Sequence, residues 1–149
     1  MAFNGMKVIH SGLGNRLRYI MNPAKTESGL LCAGINTIPD MAYKDMLDTK
    51  RRFGKLDKRQ GYHIIQSFAP GEIVPEDALR FGMEFIEKYL GNRYEGVAAV
   101  HTDRAHIHVH MIFTLCPTST AGSITPRGAN TLSASASCAT SSAGRGDCR

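Results

Sequence analysis

The stretch His101-Thr102-Asp103-Arg104-Ala105-His106-Ile107-His108-Val109-His110 holds four of the six histidines in a chain of 149 residues. From His106 onward imidazoles alternate with apolar side chains, and the run continues through Met111, Ile112 and Phe113. A period of two belongs to a strand, whose successive side chains point to opposite faces. One face then carries three imidazoles, while Ile107, Val109, Met111 and Phe113 point the other way, toward a core. Upstream, Gly96-Val97-Ala98-Ala99-Val100-His101 reads as a second strand, with Thr102 to Ala105 as a polar hairpin loop and Asp103 near its tip. Closed that way, the hairpin sets His101 opposite His106 and diagonal to His108, and diagonal neighbours lie roughly 7–8 Å apart. Rings so placed can reach one ion, and neutral ligands leave it the full charge and open positions that a Lewis acid needs. A lone strand histidine such as His10 is ordinarily just a half-buried residue; packing explains a cluster of this density poorly.

The composition is that of one soluble domain: 42% hydrophobic and 21% charged residues over a length able to bury a real core. No apolar run is long enough to span a bilayer and the N-terminus lacks a secretory h-region, so the expected location is the cytoplasm, with no membrane insertion. Cys32, Cys116, Cys138 and Cys148 form no CxxC pair, which argues against a zinc ribbon or a disulfide framework. Net charge is +5 and unevenly spread: residues 1–60 carry 11 basic and 5 acidic side chains, residues 61–115 carry 4 and 7. A basic N-terminal half beside a histidine cluster suits a polyanion such as nucleic acid, although Lys50-Arg51-Arg52 also reads as a solvated helix end.

Along the chain, Lys7 to His10 reads as a first strand and Gly12 to Asn22 as a short helix, striped by Leu13, Leu17, Ile20 and Met21 and stopped before Pro23. Tyr19 sits off that stripe near Arg16. Leu30 to Asn36 fits either a strand or a buried loop. Asp40 is placed to N-cap a helix running to about Phe53, with Gly54 as its stop. Gly61 to Phe68 is rich in β-branched and aromatic residues and reads as a strand. Pro75-Glu76-Asp77 opens a helix that Leu79, Met83, Ile86 and Leu90 continue, and Gly91 ends it. The order implies an α+β domain with a mainly antiparallel central sheet and helices on one face. Residues 1–115 form that domain. Of residues 116–149, 22 are Ser, Thr, Ala or Gly, a composition that cannot bury enough surface to fold, so a disordered tail is expected there.

Three motifs in order make the chain resemble relaxases of the MobP type, the mobilisation nucleases of plasmids and integrative elements within the HUH endonucleases. They are Arg18-Tyr19-Ile20-Met21-Asn22-Pro23-Ala24-Lys25-Thr26, then Tyr62-His63-Ile64-Ile65-Gln66-Ser67-Phe68-Ala69-Pro70-Gly71-Glu72, then His101 to His110. The third is highly specific at this spacing; the first alone would be weak. The resemblance covers roughly residues 7–113. It implies a palm-like antiparallel sheet and site- and strand-specific nicking of DNA at a transfer origin, for conjugative mobilisation. A tyrosine matching Tyr19 would become linked to the 5′-phosphate and free a 3′-hydroxyl.

By the same resemblance His101, His108 and His110 match the metal ligands, with His106 in a less strictly required accessory position. Asp103 matches the acidic residue supporting the site, and Ser67 the second-motif serine placed near the scissile phosphate. A phenol needs activation to attack at neutral pH, and Asp103 or His106 could take its proton, with Asp103 slightly favoured. Lys25, Arg16 and Arg18 could contact phosphates, or be merely solvated. Imidazole ligands by preference suggest Zn, Cu, Ni or Fe, whereas the resemblance points to Mg²⁺ or Mn²⁺. It also implies accessory relaxosome proteins and a coupling protein as partners. Alternatives are an HUH replication initiator, which usually places its tyrosine downstream of the histidines, a non-catalytic DNA-binding remnant, and an unrelated metal-binding protein.

Beyond Phe113 the pattern departs. Relaxases of this type usually continue with an asparagine-serine pair and a further strand and helix, where this chain has Thr114-Leu115-Cys116-Pro117. A C-terminally truncated domain with an out-of-frame tail is the expectation, and with it an unprotected edge on the histidine-bearing strand or an incomplete core.

Overall fold

A computed structural model describes residues 2–91 and 93–118, the side chains of residues 2–4 excepted. The described chain is an α+β fold built on one sheet. Its strands are β1 (Ala2–Ile9), β2 (Cys32–Ile35), β3 (Gly61–Ser67), β4 (Tyr94–His101) and β5 (His108–Pro117); its helices are α1 (Leu13–Ile20), α2 (Ala42–Arg52) and α3 (Pro75–Leu90). Strand order is β1-β3-β5-β4-β2, with every neighbouring pair antiparallel. The histidine strand β5 is therefore central and paired on both sides from His108 to Phe113, so among the described residues its histidine-bearing part lacks the expected exposed edge. Beyond Phe113 the registered pairing is with β4 alone. The strand also runs to Pro117, past the boundary at residue 115, with Pro117 opposite Tyr94 and Cys116 buried. The expected disordered tail, from residue 119 on, lies outside the described residues.

Helices cover both faces of the sheet, not one. On one side α3 lays Ala78, Ile86 and Leu90 over Ala98, Val100, Val109, Met111 and Phe113. On the other, Leu13, Leu17 and Ile20 of α1 join Ala42 and Met46 of α2 over Ile9, Val97, Ala99 and Ile112. The cause is legible in β4: Val97-Ala98-Ala99-Val100 is apolar at every position, as a strand buried on both sides requires. Gly82 permits the close approach of α3, since a Cβ there would lie 2.8 Å from Val109 Cγ1.

Local differences have local causes. Strand β1 begins five residues before Lys7 and stops at Ile9; Gly5, at φ 96°, sits within the register shift between Phe3 and Met6 that breaks the sequence alternation. Asp40 does not cap α2. It lies in a single 3₁₀ turn, Pro39–Met41, and α2 starts after Met41 without a side-chain cap. The ambiguous Leu30 to Asn36 segment resolves as edge strand β2, paired to β4. The end signals of α3 are read correctly: Pro75 is its first residue, and Gly91 closes it at φ 65°.

Candidate functional site

The β4–β5 pairing sets His101 directly opposite His108, not His106. The loop between them is Thr102 to Ile107, two residues longer than expected, so His106 and Ile107 leave the strand. His106 still packs its ring on His108, with centroids 4.3 Å apart. Strand parity places His101, His108 and His110 on the sheet face that α1 covers. Across that face His101 and His110 approach to 4.2 Å between centroids, and His108 and His110 to 6.3 Å. They line a depression of about 250 Å³ with Tyr19, Lys25, Ile65, Asp103, Arg104 and His106.

Tyr19 reaches the depression because α1 ends over it. Leu13, Leu17 and Ile20 bury one side of the helix, which turns Tyr19 outward at 52% exposure. Its ring meets His101 edge-on at 5.6 Å and His110 at 6.2 Å. The end of α1 is pinned from the sheet: His101 Nε2 donates to the Ile20 carbonyl at 2.9 Å, satisfying an oxygen the last helical turn leaves open. A carbonyl can only accept, so His101 carries its proton on Nε2 and keeps its lone pair on Nδ1.

The loop after α1 brings in Lys25. Thr102 N donates to the Lys25 carbonyl, which ties this loop to the hairpin. Lys25 Nζ lies 2.8 Å from Asp103 Oδ2 and 5.3 Å from the centroid of the Tyr19 ring. The hydrogen bond from Lys25 holds the Asp103 carboxyl below its ordinary range, and the same bond raises Lys25. Asp103 is thus a weaker base than an unpaired carboxylate.

The other expected residues divide. Ser67 sits on the histidine face, opposite His108 in the β3–β5 ladder. Arg16 lines an adjoining depression with Ser11, Gly12, Asn15, Tyr19 and His63. Arg18 points elsewhere, into a separate hollow beside Asp40 and Tyr43. His63 belongs to the second motif, and the sequence alone assigns it no role. In the structure it is buried, 3.0 Å from His110 through Nε2 and Nδ1. Its signal was present: period two in β3 puts His63, Ile65 and Ser67 on one face, but only the β3–β5 pairing shows that this is the histidine face.

Burial, before any charged neighbour, lowers the proton affinity of these imidazoles. His110 falls to about 3, helped by His101, His63 and His108, and His63 falls to about 4, helped by Arg16 and Lys7. His101 and His108 are lowered as well, again chiefly by burial. Neutral imidazoles clustered in one depression are chemically fit to bind a cation. Their positions are not those of a closed ligand set: among the described residues no three His, Cys, Asp or Glu side chains are arranged to hold an ion.

Comparison with known proteins assigns the chain to a family. The family description "Relaxase: MobA/VirD2-like, nuclease domain" matches residues 19–136. "Protein rlx" of Staphylococcus aureus is 35% identical over 96 residues, covering 64% of this chain and 29% of that protein. "Group II intron-interrupted relaxase LtrB" of Lactococcus lactis subsp. cremoris is 35% identical over 128 residues, covering 68% of this chain and 23% of that protein. The chain thus spans less than a third of the length of these relatives. Among the described residues no helix is long and apolar enough to cross a membrane. The chain belongs to the relaxase family, as a nuclease domain of the MobA/VirD2-like type.

Proposed function

We propose that this domain nicks one strand of DNA at a plasmid or integrative-element transfer origin, with Tyr19 as the nucleophile. The observation that carries the reading is the meeting of Tyr19 with two buried imidazoles and one ammonium in a single open depression. In the proposed step the Tyr19 phenolic oxygen attacks the scissile phosphorus. A bond forms to phosphorus and the bond to the 3′-oxygen breaks. That oxygen takes up a proton, from the base that accepted the phenolic one or from water, and leaves as a 3′-hydroxyl. The downstream strand stays joined to Tyr19 through its 5′-phosphate. The phosphotyrosyl ester retains the energy of the broken bond, so the strand can be rejoined.

We assign the roles by position. Lys25 stabilises negative charge as it develops on the phenolic oxygen. Asp103 holds Lys25 in place, and Asp103 or His106, both lining the same depression, accepts the phenolic proton. His101 anchors the end of α1, fixing Tyr19 relative to the sheet. We assign Ser67, on the histidine face, and Arg16, in the adjoining depression, as DNA contacts; Arg18 lines a separate hollow. We assign His101, His108 and His110 as the ligands of a divalent cation, Mg²⁺ or Mn²⁺. When bound, such a cation supplies Lewis acidity toward a non-bridging phosphate oxygen. Accessory relaxosome proteins, a coupling protein and a cytoplasmic location belong to the same reading.

Incubation with a supercoiled plasmid carrying a cognate transfer origin tests it. The expected product is an open circle with one nick, whose 5′ end is blocked by protein. Random nicking on both strands, or none, would count against the proposal.

A further inference from the structure

The buried contact between His63 and His110 has a chemical direction that geometry alone leaves open. His63 Nε2 faces His110 Nδ1 at 3.0 Å, with ring centroids 5.2 Å apart, and both residues are buried, at 5% and 7% exposure. One of these two nitrogens must carry the proton. If His63 donates, His110 holds its own proton on Nε2 and presents an N–H to the depression. If His63 accepts, the proton of His110 sits on Nδ1, and Nε2 presents a lone pair.

Resting on the functional reading above, we propose that His63 is a positioning residue, the hydrogen-bond acceptor that locks His110 as the Nδ1–H tautomer with its Nε2 lone pair facing the depression. Three observations support it. First, the second ring nitrogen of a ligand histidine almost always donates to an acceptor held behind it, and His63 is the only partner found for His110 Nδ1 among the described residues. Second, His63 can then carry its own proton on Nδ1, and its ring borders the open depression with Ser11 and Arg16, where water can accept that proton's hydrogen bond. Third, the pair is held by the sheet and not by loops. His63 lies opposite Ile112 in the β3–β5 ladder, which makes it the diagonal neighbour of His110.

The acceptor is a neutral imidazole, which pushes less electron density onto His110 than a carboxylate would. The His110 tautomer is fixed, while its donor strength stays moderate.

Two measurements on the full chain test this. Long-range ¹H–¹⁵N spectra of the metal-free protein read the tautomer directly. The expected result is a protonated Nδ1 and an unprotonated Nε2 on His110; a protonated Nε2 would overturn the proposal. Mn²⁺ titration by calorimetry then compares His63→Leu, which lacks an acceptor, with His63→Gln, whose carbonyl can accept. We expect Mn²⁺ binding weakened roughly 10- to 100-fold in His63→Leu and largely restored in His63→Gln. Equal binding by wild type and His63→Leu would also overturn it. If wild type binds no Mn²⁺, the ligand assignment fails, while the spectra still decide what His63 does to His110. If Mn²⁺ binds as expected but Tyr19→Phe leaves DNA cleavage unchanged, the nucleophile assignment fails and the role of His63 stands.

Discussion

The Tyr19 ring meets the His101 imidazole edge-on, with centroids 5.6 Å apart, and that same imidazole donates to the carbonyl of the next residue, Ile20. One side chain thus both faces the tyrosine and fixes the helix that carries it. This buried hydrogen bond adds to the apolar packing of Leu13, Leu17 and Ile20 that seats α1 on the sheet.

The Lys25 ammonium beside Tyr19 should matter to rate more than to binding. Lys25→Met is expected to slow formation of the DNA adduct by about 10- to 100-fold, somewhat less than removing a donor from an oxyanion hole typically costs. Asp103→Asn should cost less, because the ammonium remains nearby. Single-turnover rates at saturating oligonucleotide measure both. Equal rates for wild type and Lys25→Met would remove Lys25 from the chemistry.

Acid should unfold the domain through its buried histidines. His63 and His110 hold proton affinities near 4 and 3 in the fold, against about 6.5 in an unfolded chain. Below pH 6.5 the unfolded state therefore binds more protons, and stability falls as pH falls. The loss continues until pH passes below the folded values, with a limiting slope of about 1.4 kcal/mol per pH unit for each histidine. Urea midpoints between pH 7 and 4 should drop, and His63→Gln should flatten the curve. A wild-type midpoint constant over that window would contradict the burial argument.

Gly82 should not tolerate even a methyl group. An added Cβ would lie 2.8 Å from Val109 Cγ1 and 3.2 Å from Ala98 Cβ, and both neighbours are fully buried. Overpacking of this kind costs about 1–3 kcal/mol, against roughly 1 kcal/mol gained from the better helix propensity of alanine. A net loss of about 1 kcal/mol is expected for Gly82→Ala in denaturant titration. Because Val109 lies between His108 and His110, adduct formation should fall as well. A Gly82→Ala protein of unchanged stability would show that α3 can simply shift outward.

Much of the site could be read from sequence because it is local. His108, Val109 and His110 declare a strand with one imidazole face, and Tyr19 falls off the buried stripe of α1. The two-sided apolar run in β4 requires cover on both faces, whereas the alternation in β5 marks one face only. Register was harder. Thr102 to Ala105 and Thr102 to Ile107 are both reasonable loops, and only tertiary pairing chooses the longer one, which moves His106 off the strand. The contacts between elements remote in sequence were not legible. Lys25 with Asp103 spans 78 residues, and His63 with His110 spans 47.

The most direct test of the central claim uses a single-stranded origin oligonucleotide with Mn²⁺, wild-type protein and Tyr19→Phe. Denaturing gels and peptide mapping then locate any covalent adduct. The account predicts a phosphotyrosyl adduct at Tyr19 in the wild type and none in Tyr19→Phe. An adduct of equal yield in Tyr19→Phe, or one mapped to another residue, would contradict it.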